Sequence, residues 1–170
     1  DLDLAPIGNC AVSALIDRQG RYEWACVPRI DGDPMFSALM SGRDPGDAET
    51  EGVWAIDLTD QVSAEQRYER NTAILITTLT DKRGQSVEII DFCPRYRRNH
   101  RTYRPNAYAR IVRPINGAPR LRIRLKPTVD WGSQLAERTS GSNHIRYRVP
   151  GMMRLSTSLP VSNVFESRDF

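Results

Sequence analysis

Between positions 120 and 126 apolar and basic residues alternate without a break. Leu121, Ile123 and Leu125 fall on one side, and Arg120, Arg122, Arg124 and Lys126 on the other. Successive side chains of a β-strand point to opposite faces, whereas a helix would scatter these cations around its circumference. The segment reads as a strand of an antiparallel sheet, with one face buried and the basic face expected in water. Period-two patterning recurs along the chain. Residues 10–17 and 21–27 flank Arg18-Gln19-Gly20, a tight turn with glycine where positive φ is cheap. In the returning strand Tyr22, Trp24 and Cys26 lie opposite Glu23 and Ala25. Residues 73–80 and 86–92 flank Asp81-Lys82-Arg83-Gly84 as a second hairpin. Residues 108–115 and 120–126, joined by Asn116-Gly117-Ala118-Pro119, read as a third. Residues 53–58 form another strand, and short ones are expected near 144–149, 152–156 and 161–165.

One stretch breaks the pattern. Asp33-Pro34-Met35-Phe36-Ser37-Ala38-Leu39-Met40 offers an aspartate cap, proline at the first helical position and apolar residues three and four apart, which predicts one short helix. Residues 41–52, rich in Gly, Asp and Pro, read as a loop. Successive hairpins with one helix predict an all-β fold, an antiparallel β-sandwich with one short helix. There is no repeat, linker or low-complexity segment, so residues 1–170 are expected to form a single domain.

Charged residues at 26% and hydrophobic residues at 39% suit a globular chain rather than a disordered one. No stretch approaches the ~18 consecutive apolar residues of a membrane span, so no membrane partner is expected. Asp1-Leu2-Asp3-Leu4 has neither the basic start nor the apolar run of a signal peptide, from which a cytoplasmic location is expected. Cys10, Cys26 and Cys93 are odd in number and far apart, and only His100 and His144 could join them. That is no zinc pattern, so the expectation is free thiols, no metal and no cofactor.

The first forty residues carry three linked motifs: Pro6-Ile7-Gly8-Asn9-Cys10, then Ala14-Leu15-Ile16-Asp17, then Trp24-Ala25-Cys26-Val27-Pro28-Arg29-Ile30-Asp31-Gly32-Asp33-Pro34-Met35-Phe36. Asp91-Phe92-Cys93-Pro94, Arg110-Ile111-Val112-Arg113-Pro114-Ile115-Asn116-Gly117 and Lys126-Pro127-Thr128-Val129-Asp130-Trp131-Gly132 follow. Their content and order over residues 5–132 resemble the N-terminal domain of bacterial and archaeal glycoside hydrolase family 15 proteins, the glucoamylase, glucodextranase and trehalase-like group. Three departures stand out. Cys10 replaces the second glycine of the opening turn, Ile30 an aromatic residue, and Gly32-Asp33 a Ser-Pro type turn; they put in doubt any substrate contact made by that turn.

The resemblance implies a supersandwich-like domain that lacks its last strand or strands and the (α/α)6 catalytic domain beyond. The parent would hydrolyse α-glucosidic bonds in glucan, dextran or trehalose with inversion. That chemistry needs two carboxyl groups roughly 6.5–9.5 Å apart. Twelve helices of ~11 residues with ~5-residue connections need roughly 190 residues, more than a strand-rich chain of this length has to spare. No glutamate here lies in a segment like the family's catalytic ones, so no catalytic residue is assigned. The implied partner is the catalytic barrel of the same polypeptide, with α-glucan or trehalose contact and self-association of the separate domain as further possibilities.

Arg29, Asp31 and Asp33 crowd one loop that could reach the rim of a neighbouring domain's active site. Equally, an aspartate there could cap the helix while Arg29 pairs with a carboxylate. Trp131, between Asp130 and Gly132 in a turn, is the best placed of the three tryptophans to meet a sugar or another domain; Trp24 reads as core. Independent sugar binding is thus one alternative. Nucleic-acid binding is a rival from another class, since Arg95-Tyr96-Arg97-Arg98-Asn99-His100-Arg101-Thr102-Tyr103-Arg104 interleaves arginine with aromatics. The net charge of only +3 and the absence of an RNA-module signature weigh against it, and 95–104 reads as a long loop with no nucleic-acid partner. Gly-x-Ser-x-Gly and phosphate-cradling glycine loops are absent.

Overall fold

A computed structural model describes residues 3–168. It is a β-sandwich. The strands are β1 (Ala5–Gly8), β2 (Ser13–Ile16), β3 (Tyr22–Val27), β4 (Asp33–Phe36), β5 (Val53–Leu58), β6 (Gln61–Tyr68), β7 (Leu75–Asp81), β8 (Ser86–Phe92), β9 (Tyr96–Arg98), β10 (Arg101–Tyr103), β11 (Ala109–Asn116), β12 (Leu121–Lys126), β13 (Thr128–Val129), β14 (Gln134–Leu135), β15 (Arg138–Ser140), β16 (His144–Tyr147) and β17 (Met153–Ser156). Two short helices, α1 (Ala38–Ser41) and α2 (Val161–Phe165), complete it. One sheet runs β1-β2-β3-β5-β12 with β4 against β3, and a second runs β11-β8-β7-β6. β15-β16-β17 form a third sheet, while β9–β10 and β13–β14 are two-stranded.

Two hairpins share one turn design. Asp17 Oδ1 accepts from the amides of Gln19 and Arg21, both at 2.8 Å, and Gly20 closes the turn at φ 78°. Asp81 Oδ1 accepts from Arg83 at 2.8 Å and Gln85 at 2.9 Å, with Gly84 at φ 77°. An aspartate that bonds its own turn and a glycine that needs no strain to follow it fix the register of β2–β3 and β7–β8.

Both large sheets feed one core. Ile16, Tyr22, Phe36, Ile56 and Leu125 come from the first, and Leu75, Leu79, Val87 and Ile89 from the second. Each such aliphatic side chain contributes about 1.5–3 kcal/mol on full burial. Ile145 and Tyr147 of the third sheet join them, as do Val161 and Val164 of α2, which packs on β12 and β16.

Several sequence expectations are corrected. The segment 33–40 is not one helix: residues 33–36 form β4 against β3, and α1 follows after Ser37. No aspartate caps it, since its N-cap is Ser37, whose side chain makes no capping bond to the helix. Residues 161–165 are helical rather than extended, because burying Val161 and Val164 on one face of a short helix outweighs β-branched preference. The third hairpin does not exist. β11 pairs with β8 and β12 with β5, so residues 116–119 cross from one sheet to the other.

The basic face of β12 is also not simply in water. Arg124 is buried, holding Asp57 through Nε at 2.6 Å and the carbonyls of Asp47 and Pro45 at 2.7 and 2.8 Å. Lys126 Nζ donates to Ala48 O at 2.6 Å. The 43–50 loop is thereby strapped over the outer surface. In β3 the expected alternation fails: Tyr22, Ala25 and Cys26 are buried and Trp24 is only half-buried, since register shifts interrupt the pairing with β2 and with β4. β6 was not visible in the sequence at all.

Candidate functional site

β4 and β13 meet at one end of the sandwich, where two sequence candidates come together. Asp33 opens β4; its Oδ2 accepts from the amide of Asp130 and its Oδ1 from that of Trp131, both at 2.8 Å. Asp130, Trp131 and Gly132 all have positive φ, at 51°, 58° and 85°. Consecutive left-handed residues turn their N–H groups toward one point and form a concave anion seat, here filled by the Asp33 carboxylate. For a tryptophan this conformation is strained, and it persists only where surrounding bonds over-determine it.

Small residues let the strands approach. A Cβ on Gly132 would lie 2.7 Å from Ser37 Oγ, which itself bonds Thr128 Oγ1 at 2.7 Å in a buried position. A Cβ on Gly32 would lie 2.3 Å from the Val27 carbonyl. The Gly32-Asp33 departure in the sequence thus fits a close backbone approach followed by the carboxylate that locks the next turn.

The result is an indole 60% exposed on a fixed turn. Both Asp33 oxygens are committed to amides, so Asp33 positions this turn rather than offering a free base. Arg29 and Asp31 pair with each other, Nε to Oδ1 and Nη2 to Oδ2 at 3.0 Å each, and both are exposed. Among the described residues no hydrogen bond joins that pair to Trp131. Burial raises the Cys26 thiol above its ordinary range, and the nearby Asp33 and Asp31 charges push it the same way.

Two further constellations stand out, one whose pairing was not recognised from the sequence and one that was singled out but read as a loop. Arg110 of β11 and Asp91 of β8 form a bidentate pair at 2.7 and 3.1 Å, with side chains 2% and 0% exposed. Arg110 also donates to the carbonyls of Trp54 at 2.8 Å and Gly20, and it stacks 4.7 Å over the Tyr22 ring. Burial raises the Asp91 carboxyl, and Arg110 opposes that rise. In the sequence each residue is one of two charges on its strand, Asp91 beside Glu88 and Arg110 beside Arg113, so the pattern does not single out the buried pair. The pair lies within the second sheet, and the bonds of Arg110 to the Trp54 and Gly20 carbonyls tie that sheet to the first.

The second is an arm. Residues 95–104 are not a loop but the β9–β10 hairpin, with positive φ at Asn99 and His100 as a tight two-residue turn requires. Tyr96 and Tyr103 are register partners and stack, centroids 5.5 Å apart at 14°. Arg98 faces Arg101 across the ladder, and all six strand residues are exposed. Buried Asn9 holds the base: its Nδ2 donates to the carbonyls of Pro94 and Pro105, both at 2.9 Å, while its Oδ1 accepts from Ala11 and Val12. Among the described residues no group of three or more His, Cys, Asp or Glu is placed to hold a metal.

The order of motifs joined by this geometry, from the Asn9 turn through Asp33 to Trp131, is that of one known group, and residues 3–153 match the family described as trehalase-like, N-terminal. The chain belongs to the trehalase-like N-terminal domain family. A trehalase of Thermoplasma volcanium is 26% identical over 129 residues, which cover 74% of this chain and 19% of that protein. The chain thus spans about a fifth of the relative's length. No solved structure matches it. In this trehalase-like N-terminal domain, the Asp33–Trp131 corner presents an exposed aromatic on a turn held by two bonds to a carboxylate.

Proposed function

We propose that this trehalase-like N-terminal domain is the non-catalytic sandwich of a family 15 glycoside hydrolase. Its parent hydrolyses α-glucosidic bonds in glucan, dextran or trehalose by inversion, and the domain packs against the (α/α)6 catalytic barrel and stabilises it. The observation that carries the reading is the family match over residues 3–153. The name of the Thermoplasma volcanium relative favours trehalose among the substrates. Arg29, Asp31 and Trp131, exposed around one corner, serve as the contact with the barrel, and Asp33 fixes their neighbour turn. Three free cysteines suit a reducing, cytoplasmic setting.

The packing role is tested by thermal inactivation of the separately produced catalytic part, alone and with this domain added. The reading expects a longer half-life with the domain present, and a smaller gain with Trp131→Ala. An unchanged half-life contradicts it.

A second reading, an independent carbohydrate-binding module, is favoured by the 60% exposure of Trp131 on its locked turn. It requires that maltooligosaccharide or trehalose quench the fluorescence of the domain alone and that Trp131→Ala abolish the effect.

A further inference from the structure

Two exposed patches of opposite sign sit toward opposite edges of the six-stranded sheet. The first is the β9–β10 arm. Arg95, Arg97, Arg98, Arg101 and Arg104 are all exposed, residues 95–104 hold no Asp or Glu, and among the described residues none of these arginines has an ion pair. The whole chain is only +3, so the rest of it is net negative. The second patch is the loop strapped over the outer surface, where Asp44, Asp47, Glu49 and Glu51 are exposed beside one arginine, Arg43. The side chains of Asp44 and Asp47 bond amides of their own loop, and none of the four carboxylates has an ion pair among the described residues. The cations that hold this loop, Arg124 and Lys126, bond its carbonyls rather than its carboxylates.

The two patches do not serve each other within one molecule. Asn9 of the β1–β2 turn holds the base of the arm, whereas the acidic loop is strapped to β12. β1 and β12 are the outermost strands of the order β1-β2-β3-β5-β12, roughly 19 Å apart at about 4.8 Å per strand. Exposed charges farther apart than a Debye length, about 8 Å at physiological salt, are largely screened from each other. A second copy, turned about a two-fold axis that lies above β3 and parallel to it, presents the strands in reverse order. Its loop then faces the first copy's arm and its arm the first copy's loop, so one operation answers both patches twice. The arm suits protein better than nucleic acid. Tyr96 and Tyr103 already cover one face of each other's rings, and tyrosine with arginine is the mixture enriched at protein interfaces.

We propose that two copies of this chain associate face to face, each arm seated on the other copy's acidic loop. The contact is ionic. The arm's arginines meet Glu49 and Glu51 above all, whose carboxylates have no hydrogen bond to another group among the described residues. It is independent of the reading of the parent as a hydrolase, because both patches lie within residues 43–104.

Sedimentation velocity of the 170-residue chain tests this. A dimer is expected at about 0.05 M salt, its association weakening at least tenfold as salt rises to about 0.5 M. Two charge-reversed variants then identify the surfaces. One carries Arg97→Glu and Arg104→Glu, chosen because Arg98 and Arg101 face each other and reversal there would alter the hairpin as well. The other carries Glu49→Arg and Glu51→Arg. Each variant alone sets like charges against each other across the contact and is expected to lose association by about a hundredfold. An equimolar mixture of the two is expected to restore a dimer with one copy of each, since every reversed patch then meets its complement. A misfolded variant could not give that result. A native chain that stays monomeric at low salt overturns the proposal, and so does a mixture that stays monomeric. A dimer that persists in both variants and at high salt also overturns it and assigns the contact to apolar surface. A native monomer that retards a labelled DNA duplex, where the Arg97→Glu/Arg104→Glu variant does not, overturns it and assigns the arm to a polyanion.

Discussion

The Asp33 carboxylate holds the backbone of Trp131: one oxygen accepts from the Trp131 amide and the other from that of Asp130, each at 2.8 Å. Three consecutive positive φ angles, at Asp130, Trp131 and Gly132, accompany those two bonds. Asp33→Ala removes both acceptors and is expected to destabilise the domain by about 1.5–3 kcal/mol, the range for hydrogen bonds to a charged group. Asp33→Asn, which keeps one acceptor oxygen, falls between it and the native protein. Urea denaturation measures the loss, and acrylamide quenching reports whether Trp131 gains freedom. An Asp33→Ala midpoint equal to that of the native protein would show that the turn holds itself.

Arg110 and Asp91 form an ion pair with almost no exposure, and their loss is not additive. Removing one partner of such a pair strands the other charge in the core, at about 3–5 kcal/mol. Arg110→Met and Asp91→Leu are each expected to fall in that range. The double variant should lose less than the sum of the two, because no lone charge remains. Chemical denaturation of all four proteins gives the coupling directly, and additive losses would deny that these residues act as a pair.

Much of this fold was legible in the sequence, and the failures share a cause. Strands with one apolar and one polar face, such as β7, β8 and β12, announced themselves by alternation. β6 did not, because Gln61–Tyr68 is an edge strand in which no residue is fully buried, so nothing forced a period on it. Arg124 was expected in water because alternation says which face a residue takes, not what later folds over that face. The Asn116-Gly117-Ala118-Pro119 turn has hairpin chemistry, yet tertiary pairing sends its two strands to different sheets. At the corner, Asp33 and Trp131 were each singled out, but their bond spans 98 positions and local pattern cannot show it. The same holds for Arg110 and Asp91.

Alkali is expected to weaken the domain. Burial pushes the Cys93 thiol from 9.0 to about 12, with the Asp91 charge adding to the rise. Burial also raises Tyr147 from 10.0 to about 12, and it raises Tyr22 and Tyr108 in the same direction. From about pH 9 upward the unfolded chain releases protons that the folded chain still holds, so stability is full below that pH and falls as pH climbs toward 12. Urea midpoints at about pH 7 and about pH 11 check this. A midpoint that does not move would place these side chains in water.

The arm carries like charges face to face. Arg98 and Arg101 are register partners, and among the described residues neither has an ion pair. Replacing one by the opposite sign, Arg101→Glu, is expected to stabilise the hairpin by a few tenths of a kcal/mol, in the range of about 0.2–1 kcal/mol for cross-strand pairs. The gain should shrink at high salt as screening shortens the reach of both charges. A loss of stability at low salt would mean that Arg101 already has a favourable partner.

Glucose release tests the central claim most directly. The 170-residue chain and the protein carrying its natural continuation are incubated side by side with trehalose, maltooligosaccharides and dextran. The account predicts turnover by the longer protein alone, with trehalose among its substrates. Release of glucose by the 170-residue chain would contradict it and place a catalytic carboxylate pair within the sandwich itself.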